Sequence, residues 1–291
     1  MSNLSLYLVA VIIWSSTWSA IRLQLGSVPP AVSVVWRFAL AALVLFAYAQ
    51  WKRLSLRFTT REHLWLALQG LLMFGINYIC VYFAELHLAS GLVAVISSLS
   101  VFANILAMRV FFATPVKPAV LSGAMLGVAG VVLIFAPELM RVSAAGEALL
   151  GASLAIGSVA AGSIGNMAAT RNHRSQIPLV QANLLAMGYG ALFVALFAAA
   201  EGDSFAFDWS FRYVASLAYL ALFGSVVAFG AYLTLMGRIG ADRASYAAVA
   251  VPVLALVLSA LFEDLRVTFA MVAGVALCLL GNLLVLSRGN A

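Results

Sequence analysis

Charge is what this chain has least of. Only 9% of its 291 residues are Asp, Glu, Lys or Arg, and 65% are hydrophobic. A soluble domain is about 25% charged and about 45–50% apolar. A chain this poor in charge has no polar skin to offer water, which excludes an ordinary soluble fold and leaves lipid as the solvent for most of its surface. Cysteine is nearly absent. Cys80 and Cys278 both lie in apolar runs, which argues against a disulfide framework. The three histidines, His63, His87 and His173, fall at the ends of apolar runs or in loops, and no Cys/His cluster, HExxH or phosphate-cradling glycine loop is present. No metal or cofactor is expected, and an embedded enzyme is disfavoured. The start, MSNLSLYLVAVIIW, lacks a basic n-region and a small-residue cleavage site. It is expected to be a retained first span rather than a signal peptide.

What the chain has is apolar runs along its whole length. A membrane helix needs about 20 mostly apolar residues. Ten stretches qualify: Leu4–Ile21, Ala31–Gln50, Leu64–Ala84, Leu88–Phe112, Ala119–Ala136, Ala148–Ala169, Ile177–Ala200, Tyr213–Met236, Ala244–Phe262 and Val267–Leu286. The expectation is an all-α polytopic membrane protein of ten transmembrane helices, in contact with the bilayer throughout. The net charge of +6 would suggest nucleic acid in a soluble chain. Here it is a matter of loops, and no nucleic-acid partner is expected.

With the N-terminus inside, one side holds Lys52, Arg53, Arg57, Arg61, Arg109, Lys117, Arg171, Arg174, Arg238, Arg243 and Arg288, while the other holds Arg22, Arg141, Arg212 and Arg266. Eight acids, from Glu85 to Asp264, fall on that second side; only Glu62 and Asp242 fall on the first. This sorting predicts cytoplasmic N- and C-termini in a cell (inner) membrane.

The two halves resemble each other. GAMLGVAGVVLIF from Gly123 aligns with GVALCLLGNLLVL from Gly274, pairing Gly127 with Cys278 and Gly130 with Gly281, and the same shift pairs Phe111 with Phe262. Two five-span units, 1–136 and 147–291, are expected. An odd span count makes the second enter from the opposite face, an inverted repeat with a site between the halves. The small-xxx-small pair Gly123 and Gly127 marks the fifth and tenth spans for close packing, between helices or at a dimer contact; a monomer or weak homodimer is expected.

The stretch VVWRFALAALVLF sets Arg37 among apolar residues. A lone charge in a span costs about 2.5–3.5 kcal/mol. The expected partners are Glu85, at the outer end of span three, and the free carbonyls ending span one, with Arg37 acting as a structural pin. The alternative is a counter-charge for a substrate carboxylate. Other polar residues form stripes: Trp14 with Trp18, Tyr78 with Tyr82 beside Asn77, Ser97 with Ser100 and Asn104 beside Ser98, and Ser163 with Asn166 and Thr170. Together they are expected to line one aqueous cavity, with Tyr246 nearer the cytoplasmic face. Interhelical hydrogen bonding is the alternative for any one of them. Gly75 and Pro252 are candidate gating bends, with plain packing the alternative. No acid falls at mid-span, so obligate proton coupling is not expected, and no buried carboxylate awaits a cationic drug. The cargo this suits is a neutral or zwitterionic small molecule with an apolar side chain.

The opening block IIWSSTWSAIRLQLGSVPPAVSVVWRF, through Trp14, Ser15, Pro29, Pro30, Arg37 and Phe38, resembles an EamA-type member of the drug/metabolite transporter superfamily. The block LALFGSVVAFGAYLTLMGRIGADRASYAAVAVPVLALVLSALFEDL, with Pro252 and the Glu263–Asp264 pair, resembles the family's later half. The chain departs from that pattern at Val101, where the family has a proline, and at Ala113 and Thr114, where it has an acid. The resemblance implies a carrier working by alternating access that exports small metabolites, most closely the aromatic amino-acid exporters. Broad drug efflux is the alternative.

Overall fold

The structure is a computed structural model describing residues 1–116, 118–139, 145–240, 244, 247–263, 265 and 267–288. Among them all regular secondary structure is helical. Lipid offers no hydrogen bonds to a backbone, so a spanning segment must satisfy its own.

Ten rods result. The first two are α1 (Asn3–Arg22) and α2 (Pro30–Trp51). The third joins α3 (Thr60–Gln69), a π-helical turn at Gly70–Ile76 and α4 (Asn77–His87). The fourth breaks at Ser98 and Leu99, between α5 (Ser90–Ser97) and α6 (Ser100–Phe112). Then come α7 (Pro118–Leu139), α8 (Ala145–Arg174) and α9 (Leu179–Ala200). The eighth joins α10 (Phe211–Tyr219), a second π turn at Leu220–Val227 and α11 (Ala228–Ile239). The last two are α12 (Ala247–Phe262) and α13 (Phe269–Arg288). Seven rods are long and apolar enough to cross a membrane by themselves; the fifth, ninth and tenth contribute shorter apolar stretches.

Several helices run past their apolar limits because polar residues cap them. In α3 the Thr59 hydroxyl accepts from the Glu62 N–H at 3.3 Å, and the Glu62 carboxylate accepts from the Thr59 N–H at 2.7 Å. This capping box starts the helix before its first apolar residue.

The packing has the symmetry of an inverted repeat. α2 packs on α9, and α7 on α13, joining rods two and seven, five and ten. α1 packs on α12 as α6 and α5 pack on α8; α4 packs on α8 as α11 packs on α1. Exchanging the halves leaves this pattern unchanged. The two π turns obey the same relation: the shift that carries Gly123 to Gly274 carries the first π segment onto the second.

The crossing of rods five and ten shows why glycine is needed there. A Cβ on Gly130 would stand 2.4 Å from the Gly274 carbonyl oxygen, and one on Gly281 would stand 2.4 Å from that of Gly123. Cys278, equivalent to Gly127, donates its thiol to the Gly127 carbonyl at 3.3 Å. Each residue thus meets the equivalent of its own partner, as a two-fold axis through the crossing requires. The small-residue face is spent inside the chain rather than offered to a second copy. Gly274→Val is expected to lower the melting temperature in detergent, by overpacking of about 1–3 kcal/mol. Gly230→Ala, where a Cβ meets nothing within 4 Å, should not. Equal melting of the two variants would contradict the crossing.

Candidate functional site

Rods from both halves enclose a cavity of about 180 Å³. One water needs about 10–15 Å³ of such space, so the void takes roughly a dozen water-sized groups. Its walls differ. Rods three, four and six supply a polar wall: Asn77, Ser97, Ser98, Asn104, Ser163 and Asn166. Rods one and eight supply an aromatic one: Trp14, Trp18, Phe229 and Tyr232, with Tyr78 of rod three beside them. Pro252 completes the lining from rod nine. No Asp, Glu, Lys, Arg or His is among the described lining residues.

Local hydrogen bonding fixes much of this wall. The Trp14 indole donates to the Gly224 carbonyl at 3.3 Å, inside the second π turn, and its ring packs 5.1 Å from Phe229 and 5.0 Å from Tyr232. The Asn77 amide donates to the Met73 carbonyl at 3.2 Å, and that of Asn166 to the Asn104 carbonyl oxygen at 3.3 Å. The Ser98 hydroxyl turns back onto the Val95 carbonyl at 2.7 Å. Such back-bonding bends helices, and it marks the break in rod four. There the chain has Val101, without the proline that Pro252 provides in rod nine.

The structure brings together most of the residues singled out in the sequence, but not all. Tyr82 is outside the cavity. It is fully buried, and its hydroxyl donates to the Gln24 side-chain carbonyl at 2.7 Å. Four residues on from Tyr78, it has rotated toward rod one, where a buried phenol finds an acceptor. Tyr246 lies outside the described residues. Gly75 sits in the first π turn, where a Cβ would meet only ordinary contacts from 3.6 Å outward; the bend belongs to the π segment and not to a tight glycine. The cavity also has lining residues that the stripes missed: Thr17, Ser158, Phe229 and Tyr232. Phe229 and Tyr232, three apart on one helix face, were a legible pair.

Arg37 and Glu85 do not form the expected ion pair. Among the described residues only His87 and Glu147 are in salt-bridge contact. Both side chains are fully buried, but they face different partners. Arg37 donates from Nε to the Ser225 hydroxyl at 3.0 Å, and Ser225 in turn donates to the Leu220 carbonyl at 3.0 Å, within the second π turn. The guanidinium carbon lies 4.6 Å from the Tyr78 ring centroid and 5.4 Å from that of Phe38. The charge is therefore offset by a hydroxyl and two ring faces. A Cβ on Gly224 would come within 3.1 Å of Nη2 and 2.8 Å of the Thr17 methyl, so the glycine makes room for this contact. Both carboxylate oxygens of Glu85 lack a hydrogen-bond partner among the described residues, while its backbone carbonyl accepts from Arg22 Nη1.

Ser225→Ala should destabilise the protein by about 1.5–3 kcal/mol, the worth of a hydrogen bond to a charged group. Reversal of both charges, Arg37→Glu with Glu85→Arg, should not restore what the single reversals lose. Detergent melting curves measure both, and recovery in the double variant would put the two side chains in contact.

Comparison with known proteins agrees with this architecture. The chain matches the EamA-like transporter family over residues 1–136 and 149–287. It is similar to an uncharacterized transporter, YoaV, of Bacillus subtilis (strain 168), with 24% identity over 276 residues, 93% of this chain and 91% of that one. A solved structure, described only as the crystal structure of a protein, covers 99% of both chains with a TM-score of 0.70 at 20% identity, a likeness of fold. Ten helices in two inverted repeats around an uncharged cavity, with both halves matched, make the chain a multi-pass membrane protein belonging to the EamA-like transporter family.

Proposed function

We propose that this transporter moves small neutral or zwitterionic metabolites, amino acids with aromatic side chains among them, out of the cell by alternating access. The observation that carries the reading is the cavity between the repeats, with amides and hydroxyls on one side, rings on the other and no charge among the described lining residues. A net charge entering it would find no partner, and desolvating an unpaired ion is costly. A zwitterion brings its own counter-charge. An apolar or aromatic side chain gains burial against Trp14, Phe229 and Tyr232, and ring pairing adds about 0.5–1.5 kcal/mol.

Alternating access draws support from where the repeats touch. α5 packs closely on α12: a Cβ on Gly91 would lie 2.9 Å from Leu256 Cα. Glu263, just past α12, accepts from the Ser90 N–H at 3.0 Å and from the Ser90 hydroxyl. His87 and Glu147 tie rods three and six on that same face. Toward the face bearing the termini, α6 packs on α8 and α7, with at most marginal contact to α12 among the described residues. The cavity thus has its seal on one side and its looser seam on the other. The clustering of basic loops assigns the looser side to the cytoplasm, which suits export from a cell (inner) membrane.

Proton coupling is not part of this reading, because the lining holds no carboxylate or imidazole and the buried Glu85 lies elsewhere. Purified protein in liposomes should show saturable counterflow of labelled phenylalanine, tryptophan or threonine, at similar rates with and without a pH gradient. Counterflow of cationic dyes but of no amino acid would favour drug efflux instead. Flux that requires the gradient would overturn the uncoupled mechanism.

A further inference from the structure

We propose that the Trp18 indole and the Ser163 hydroxyl are the donors that read the cargo, and that they bind a carboxylate in a site containing no cation. This rests on the cavity being the substrate site.

The two atoms stand out by what they lack. Trp18 Nε1 and Ser163 Oγ are both buried, both residues line the cavity, and neither atom has a hydrogen-bond partner among the described residues. Three other donors of the lining are engaged. Trp14 has given its N–H to Gly224, Ser98 its hydroxyl to Val95 and Ser158 its hydroxyl to Ala155 at 2.7 Å. A helical serine ordinarily back-bonds in this way to the carbonyl three or four residues earlier. Ser163, well inside α8 and only 3% exposed, does not.

A buried donor left unpaired costs free energy, and a ligand oxygen that arrives there removes the cost. A carboxylate is the acceptor that gains most, because charge-assisted hydrogen bonds are stronger than neutral ones and low polarity strengthens them further. It also offers two oxygens to two donors. Arg37 cannot take this role from where it stands. It is absent from the lining and lies against the ring of Tyr78, with Nε held by Ser225 and Nη1 buried without a partner among the described residues. The ammonium of the same zwitterion is left to the ring faces of Trp14 and Tyr232, which attract cations. The site would therefore discriminate by the carboxylate and not by net charge.

The test compares phenylalanine with phenethylamine, which keeps the ring and amine but lacks the carboxylate. Inhibition constants of both against labelled phenylalanine counterflow are measured in wild type, Trp18→Phe, Ser163→Ala and Ser163→Thr. Trp18→Phe and Ser163→Ala should each weaken phenylalanine about tenfold, the equivalent of one lost hydrogen bond of about 1.4 kcal/mol, and leave phenethylamine within twofold. Ser163→Thr, which keeps the hydroxyl, should stay near wild type. Wild-type counterflow with unchanged phenylalanine affinity in both variants would overturn this inference alone. Equal loss for the two ligands, with lowered melting temperature, would assign the residues a packing role and overturn it too. If wild type moves no amino acid, the reading of the cavity falls and takes the inference with it.

Discussion

One arginine has to be kept in a place where lipid surrounds the protein. Arg37 is fully buried, and among the described residues no carboxylate meets it. It is tolerated because a π turn in rod eight brings Ser225 to its Nε, while Tyr78 and Phe38 present their faces to the guanidinium. The same turn shifts backbone carbonyls out of α-helical register. In a bilayer those carbonyls need partners from the protein, and they find them: Ser225 satisfies Leu220, and the Trp14 indole satisfies Gly224. The irregular turn, the buried charge and the first aromatic residue of the cavity wall form one connected arrangement across rods one, two and eight. Removing any member leaves another unsatisfied.

The inverted repeat gives this arrangement its setting. Rods five and ten cross glycine to glycine and hold the halves together at one edge; beside the cavity rod four is interrupted at Ser98 and Leu99, while rod nine carries Pro252 inside a continuous helix. The symmetry is one of backbone and packing, not of chemistry. Rod three answers the second π turn with one of its own, but it carries Asn77 and Tyr78 into the cavity where rod eight carries Phe229 and Tyr232. Equivalent rods thus carry different chemistry, and the two walls, one polar and one aromatic, each draw on both repeats, an asymmetry that suits a molecule with a polar head and an apolar tail.

Much of this was legible in the sequence because lipid imposes simple rules. Run length predicted ten rods, and the pairing of Gly123 with Gly274 predicted the repeat and the packing of rods five and ten. The polar stripes and the residues beside them placed ten of the cavity residues, from Trp14 to Asn166. What was not legible depends on contacts between distant segments. The π turns add a residue to a helical turn without disturbing hydropathy, so periodicity does not reveal them. Ser225 lies far along the chain from Arg37, and no local pattern marks it as a partner; Glu85, charged and nearby, was the natural expectation. Tyr82 shares a helix face with Tyr78 in projection, but the position of Gln24 draws it away. Rod four breaks at Ser98 and Leu99 without the family's proline, and the serine that back-bonds there is a signal weaker than proline in sequence.

The central claim is that the space between the repeats is the path of the cargo, and thiol labelling tests it most directly. With Cys80 and Cys278 changed to Ala, Ser97→Cys on the polar wall is treated with a maleimide in liposomes, with and without saturating phenylalanine. The account predicts that the thiol reacts when the face bearing the termini is accessible and that phenylalanine slows the reaction. A thiol that never reacts, or reacts at the same rate whether or not a transported amino acid is present, would contradict it.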